Sequence, residues 1–399
     1  MLILLAAINF THIMDFMIMM PMAPQLMKKL EIGPDQFSLL VASYSLAAGL
    51  ASFVGTFLVD GFDRKKVLLT CYSGFVVGTF LCGFAPSYTF LLTARVFTGL
   101  LGGVIGSQVL SIVGDLIPAQ HRGKATGMVM TGFSAASVLG VPVGLYAANT
   151  WSWEMPFYGI GVMGLVVFGL AFFLLPPVRQ HLLNQDSRGS WMKQLPRILQ
   201  VPSHRTALLF TVLVAFSHFT IIPFLSPYMV ANVGFKETEL SYIYMFGGAL
   251  TLYTGPLIGK QVDRYGAVPV FTWLVVISII PLLSITHLPP VAVWVALIFT
   301  SLFFIFSGGR FVPSQALTIS AVQPEVRGGF MSLNSSVMQL GSGLAALIAG
   351  KIVSKDPSGH LLHYEWLGYI TLIFSLATIW FSRVLLRSTQ KEKSEAVPL

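Results

Sequence analysis

Apolar runs of roughly 20 residues recur along the whole chain, separated by short polar stretches, and this rhythm predicts its architecture. The runs cover residues 3–27, 37–59, 67–84, 89–116, 125–148, 157–175, 206–230, 239–262, 268–286, 291–319, 329–350 and 366–386. A helix rising about 1.5 Å per residue crosses about 30 Å of hydrocarbon in such a run. Twelve spans follow. The longest polar interruption, residues 179–205, carries five Lys or Arg against Asp186 alone. It reads as a linker between two six-helix bundles, 1–178 and 206–388, with a polar tail over 389–399. Within the linker Trp191, Leu195, Ile198 and Leu199 share helical spacing while Lys193 and Arg197 point elsewhere, which suits a short helix on the lipid surface interrupted by Pro196. The tail from Ser388 is expected to be disordered. The first run lacks a basic leading segment and a clear small-residue cleavage site, so it reads as a retained helix.

Composition agrees with this pattern. Hydrophobic residues make up 55% of the chain and charged residues 10%, with a mean hydropathy of +0.77, too little polar surface for a water-soluble protein. With the N-terminus inside, 17 of the 24 Lys and Arg fall in cytoplasmic segments, five in outside loops, and two, Arg95 and Arg310, within the membrane. The positive-inside rule therefore places both termini in the cytoplasm. Topology also accounts for the net charge of +8, because the cations flank helix ends and form no nucleic-acid patch. Cys71 and Cys82 lie three helical turns apart and cannot bridge each other, and no CxxC metal site exists.

A short loop sequence occurs twice. Val59-Asp60-Gly61-Phe62-Asp63-Arg64 is matched 203 residues later by Val262-Asp263-Arg264-Tyr265-Gly266. The same offset carries Pro24 onto Pro227 and Ser38 onto Ser241, and an offset of 205 carries Arg122-Gly123 onto Arg327-Gly328. The matches fall at corresponding helix ends, as two parallel membrane repeats require. In the first copy Asp60 and Arg64 are pressed into a tight hairpin, with Asp115 at the end of the fourth run as a candidate partner for Arg64. Such a charge network is expected to hold the cytoplasmic face shut and to break on opening. Lys65 and Lys66 read as topology anchors.

On these residues the chain resembles the major facilitator superfamily, whose loop between helices 2 and 3 reads approximately G-x-x-x-D-R-x-G-R-[KR]. The first copy departs from it at Thr56, Gly61 and Asp63; the second, Gly259 to Gly266, loses the terminal basic residues. The resemblance implies gating roles for Asp60, Arg64, Asp263 and Arg264. Two more segments are similar to those of the proton-coupled drug efflux branch. Arg95-Val96-Phe97-Thr98-Gly99 resembles its R-x-x-x-G element, where a membrane-embedded Arg is associated with proton transfer. Residues 136–144 resemble its antiporter motif through Gly140, Pro142 and Gly144, with Leu145 in place of a final Gly. Physically, small residues allow close helix approach and Pro142 bends its helix.

The sharpest chemical signal is Asp15, an acid in an otherwise uncharged first span. Near the membrane centre such a charge costs about 2.5–3.5 kcal/mol on insertion scales, so it needs protonation, a partner or water. It is a candidate proton carrier, with a structural ion pair to Arg95 or Arg310 as the alternative. His12 lies on much the same helical face, and Asp15 maps onto His218 in the second half, so both can face a central cavity. Arg310 has no register-matched Arg and is a candidate cavity counter-charge. Gln108, Gln315, Asn334 and Gln339 are further cavity candidates, each equally suited to joining helices. Met14, Met17, Met19, Met20 and Met22 offer an adaptable apolar surface or a lipid-facing stripe.

The expectation is an all-α protein of the cell inner membrane, two pseudo-symmetric six-helix bundles acting as a monomer. It exports small amphipathic or hydrophobic compounds in exchange for protons, without cofactor, bound metal or nucleic-acid partner. A sugar or metabolite facilitator of the same fold is the nearest alternative. A remote one is an intramembrane metal enzyme built on His12, Asp15 and His218, although no HExxH occurs. Gly259-Lys260-Gln261 is no phosphate loop, since Thr254 and Gln261 stand where Gly and Ser or Thr belong.

Overall fold

A computed structural model describes residues 1–58, 61–179, 195, 196, 198–323 and 326–395. The first half comprises α1 (Leu2–Ile18), α2 (Ala23–Lys29), α3 (Pro34–Leu58), α4 (Arg64–Gly83), α5 (Tyr88–Leu116), α6 (Arg122–Ala135), α7 (Val141–Thr150) and α8 (Met155–Leu174). The second comprises α9 (Pro202–Phe219), α10 (Ile222–Tyr228), α11 (Leu240–Tyr265), α12 (Ala267–Thr286), α13 (Val293–Phe303), α14 (Phe311–Ser320), α15 (Arg327–Ile352) and α16 (Tyr364–Glu395). A two-stranded antiparallel ribbon, β1 (Ser354–Lys355) and β2 (Leu361–Leu362), links α15 to α16.

Among the described residues nine helical segments are long and apolar enough to cross a membrane, and α1 with α2 forms a tenth span bent by 57°. The first span was expected to be continuous. Pro21, with no N–H and a ring that crowds the preceding turn, lies at the break between Ile18 and Ala23. The other two expected spans, α11 and α15, have the length, at 26 residues each, but not the hydropathy. Their polarity has a physical reason: these helices meet the opposite half and not only lipid. Three spans contain a π-helical turn, at Ala136–Gly140, Met229–Val233 and Phe304–Gly308.

Small residues join the halves. A Cβ on Gly49 of α3 would come within 2.7 Å of Leu340, and one on Gly343 of α15 within 2.8 Å of Leu46, while Ser336 Oγ donates to the Gly49 carbonyl at 2.5 Å. Gly248 of α11 packs on the Ser137 backbone of the π turn. The apolar core shows where the contact is continuous. One cluster takes Met22, Phe37 and Trp153 from the first half together with Phe224, Tyr228 and Tyr364 from the second. Toward the opposite end the core divides into separate clusters. Leu5, Leu68 and Val109 pack in the first half, and Ile198, Phe271 and Phe330 in the second, onto which, among the described residues, only Phe53 reaches from across the division. Leu5 of α1 and Leu385 of α16 belong to these separate clusters, so both ends of the described chain lie at the divided end.

Three local expectations change. The second loop copy is not a loop: residues 262–265 form the last turn of α11, and Gly266, at φ 87°, makes the reversal alone. Leu195 and Ile198 of the linker pack into the second half's divided core in place of lying on lipid, while Trp191, Lys193 and Arg197 fall outside the described residues. The polar tail is helical to Glu395, because Glu392 accepts from Ser203 N at 3.0 Å and Ser203 Oγ at 2.6 Å, supplying a carboxylate to the start of α9. Glu392→Ala is expected to cost about 1 kcal/mol, measured as a lower melting temperature of the detergent-solubilised chain. An unchanged melting temperature would show that the tail only lies alongside.

Candidate functional site

The close approach of α5 to α3 creates the most unusual chemistry in the molecule. A Cβ on Gly99 would lie 2.5 Å from the Tyr44 carbonyl, and Gly103 faces the Ala48 backbone, so α5 rests directly on α3. One turn before Gly99, Arg95 is fully enclosed, and its guanidinium sits 4.4 Å from the centre of the Tyr44 ring. Arg95 Nη1 donates to Asp15 Oδ2 at 2.7 Å, and neither side chain has any solvent exposure. Thr79 Oγ1 of α4 donates to Asp15 Oδ1 at 3.1 Å. Of the two partners considered for Asp15, the fold therefore selects Arg95. Tyr44 and Thr79 were not singled out from sequence, since a lone Tyr and a lone Thr in apolar helices carry no pattern.

His12, one turn before Asp15, lies between the rings of Tyr44 and Phe75, with centroids 6.4 and 5.8 Å away. Neither of its ring nitrogens has a hydrogen-bond partner, nor has the Tyr44 hydroxyl. Both groups converge on Gly102, whose Cβ would meet Tyr44 Oη at 2.5 Å and His12 Nε2 at 3.2 Å. Gly102 thus leaves room where two buried polar groups face each other.

The second half is built differently. His218 Nδ1 lies 3.1 Å from Ser307 Oγ, and its ring stacks on Phe303 and meets the edges of Phe219 and Phe311. Arg310 is also enclosed and is held by Ser375 of α16 and the Ser217 carbonyl of α9. Asp15 and His218 occupy matching helices but do not face one cavity. Each turns to partners in its own half, while the adjacent Phe16 and Phe219 meet across the halves with ring centroids 6.4 Å apart. Among the described residues no three His, Cys, Asp or Glu form a group able to hold a metal, so His12, Asp15 and His218 do not assemble.

Several other cavity expectations are corrected by burial. Met19, Met20 and Met22 belong to the shared core, Met14 packs against Gly140 and Gly144, and none of the four forms a lipid stripe. Met17 is half-buried, with its sulfur 3.6 Å from Ser137 Oγ. Asn334 is buried and accepts from Thr211 Oγ1 at 2.6 Å, tying α15 to α9. Gln108 is buried with an unpartnered Oε1, Gln339 is half-buried, and Gln315 is exposed in a shallow recess beside Thr211 and Asn334. In the α6–α7 span Gly144 lets α1 approach, since its Cβ would meet Ile18 at 2.7 Å, and Pro142 opens α7 after the π turn.

At the divided end Arg64 Nε lies 2.5 Å from Asp115 Oδ2. The pair joins α4 to α5 within the first half. Asp60 falls outside the described residues. Asp263 and Arg264 are exposed, and Arg264 lies over the Tyr265 ring. The register puts Ala267 and Ser320 where Arg64 and Asp115 stand, so the second half lacks both members of the pair. Asp63, missed as a functional position, caps α4 through Lys65 N and accepts from Val178 N and from Arg179 Nε at 2.8 Å. Burial pushes its carboxyl up, but the bonds from Arg179, Val178 and Lys65 outweigh this and hold it below the usual carboxylate range. The start of the linker is thereby clamped to the first half.

The sequence profile of the Major Facilitator Superfamily matches residues 5–207 and again 207–399. The chain belongs to this superfamily. Its two matches coincide with the two halves, and as a member the chain is a multi-pass membrane transporter. The MFS-type transporters YbcL and YceJ of Bacillus subtilis (strain 168) are 27% and 25% identical to it, over 84% of this chain and 84% and 85% of theirs. In fold it is similar to a bacterial homologue of the human lysosomal transporter Spinster, solved in an inward-facing, occupied conformation. That likeness has TM-score 0.74 and 18% identity over 98% of this chain and 97% of that one. It is also similar to a D-xylose–proton symporter, with TM-score 0.75 and 14% identity over 94% and 96%.

Two predictions follow from the superfamily member's charge pairs. Asp15→Asn or Arg95→Gln strands one buried charge and is expected to cost about 3–5 kcal/mol, while the double variant recovers much of the loss in melting temperature. A double variant as unstable as the sum of the single ones would uncouple the two residues. Asp63, with a depressed pKa, stabilises the fold above its unfolded value of about 3.9 and ceases to do so as pH falls through the folded value. Asp63→Asn is expected to melt below wild type at pH 7, with the gap closing below about pH 4; a gap independent of pH would remove the charge from the explanation.

Proposed function

We propose that this transporter exports small amphipathic compounds in exchange for protons, by alternating access between its two halves. The observation that carries the reading is the fully enclosed Asp15–Arg95 pair under Tyr44. Buried pairs of this kind contribute little net stability and cost much when one partner is lost, so the presence of one inside a membrane span points to a use other than holding the fold. A proton on Asp15 removes the charge that holds Arg95 Nη1 and leaves the guanidinium with the Tyr44 ring and the Asp15 backbone carbonyl. The pair is therefore a two-state element set by proton occupancy, and any packing change that follows Arg95 biases which end of the molecule is open. A proton-delivery role for Tyr44 and His12 is supported by their polar atoms, which lack partners and converge on Gly102. The division of the core at one end supports the transport cycle, with this end as the open one and the cytoplasm as its side.

A second reading, a sugar or metabolite facilitator, is favoured by the gathering of the polar side chains Thr211, Ser314, Gln315, Thr318 and Asn334 between α9, α14 and α15. One assay separates them: purified chain in proteoliposomes, fluorescent amphipathic dyes and labelled sugars, with and without an imposed pH gradient. Gradient-driven dye movement is expected in wild type, is lost in Asp15→Asn, and is retained in part by Asp15→Glu. Unchanged gradient-driven transport in a folded Asp15→Asn variant would sink the coupling role. Gradient-independent movement of sugars alone would favour the facilitator.

A further inference from the structure

The two buried arginines of the membrane region are not equivalent. Arg95 has an acid and an aromatic face, whereas Arg310, at 1% exposure, has neither. Arg310 Nη1 donates to Ser375 Oγ at 2.9 Å and Nη2 to the Ser217 carbonyl, while Nε is enclosed without an acceptor. The ion pairs among the described residues join Arg64 to Asp115, Arg95 to Asp15 and Arg179 to Asp63, and none involves Arg310. His218, next to Ser217 in sequence, is no counter-charge, since it adds positive charge whenever it is protonated. A guanidinium keeps its proton in a protein, so it cannot escape the mismatch by becoming neutral. An enclosed cation whose counter-charge is missing marks, in a membrane protein, a substrate or ion site. Hydroxyl and carbonyl dipoles hold Arg310 in place but leave the net charge standing.

We propose that the transported compound supplies the missing charge: Arg310 recognises the anionic head of an amphipathic molecule, a carboxylate, sulfonate or phosphate monoester. A planar guanidinium offers two parallel N–H bonds to such a head, and the rings of Phe303, Phe219 and Phe311, packed around the neighbouring His218, suit an apolar body. The π turn at Phe304–Gly308 stands immediately before the arginine. Its return to α geometry would turn the following segment by about 100°, one residue's rotation, and so present Arg310 to a compound entering between the halves. This deepens the export reading by naming the substrate class, and it rests on that reading for the direction of transport only.

The test is a thermal-shift panel on the full chain in lipid nanodiscs, without a pH gradient. The ligands are hexanoate, hexanesulfonate and hexyl phosphate, set against hexanamide and hexylamine. At saturation one or more of the anions is expected to raise the melting temperature of wild type by about 2 °C or more. The amide and the amine are not. Arg310→Gln loses the anion shift, and Arg310→Lys, the control for folding, keeps part of it. Equal shifts from amide or amine, no shift from any anion, or an anion shift that persists in Arg310→Gln would each overturn the assignment. Because no gradient is applied, failure of proton coupling leaves this result untouched; conversely, Asp15→Asn is expected to keep the anion shift.

Discussion

The ion pair between Asp15 and Arg95, closed off from solvent on every side, sets the terms for the first half of the molecule. A carboxylate at that depth is tolerable only beside a cation, and the cation only with its remaining faces covered. Several features follow from that demand. Gly99 and Gly103 let α5 lie against α3, which brings the Tyr44 ring over the guanidinium. Thr79 reaches from α4 to the second carboxylate oxygen, so three helices meet around α1. Such an arrangement is intolerant of partial change, because loss of one charge strands the other.

The second half repeats the helices without repeating the electrostatics. Its enclosed arginine is met by a serine hydroxyl and a carbonyl in place of an acid, and its histidine stacks among phenylalanines. At the surface the same contrast recurs: Arg64 and Asp115 form a pair in the first half, and the register leaves Ala267 and Ser320 in the second. A repeat supplies two bundles that pack alike, and packing depends on small and apolar residues that both halves keep. Charge is free to diverge, because moving one half against the other requires no electrostatic symmetry.

The joint between the halves is made of glycines and short side chains along α3, α15, the π turn and α11. Close backbone contact of this type is strong in dispersion and poor in specific polar bonds, which suits surfaces that must separate and re-form. At one end a single core unites both halves, and at the other each half closes its own. The clamped linker start at Asp63 and the docked tail at Glu392 confine the polar segments at the divided end to their own bundles.

Most of the membrane spans, the two related halves and membrane placement were legible from hydropathy and the 203-residue offset, because lipid imposes length and apolarity on each lipid-facing span separately, whereas α11 and α15 fall short of that apolarity. Asp15 and Arg95 stood out for the same reason: a charge in a span is conspicuous in one dimension. What pairs with that charge was not legible, since Arg95, Thr79 and Tyr44 come from three other helices, and their meeting depends on glycines whose role appears only when backbones touch. The sequence also overstated symmetry, placing Asp15 opposite His218, whereas side-chain direction around each helix turned both into their own bundles. Membrane solvation determined the spans from the sequence alone. Only the tertiary structure decided which buried charge found a partner, because neutralising a charge in hydrocarbon is a matter of ångströms between helices that the chain order does not record.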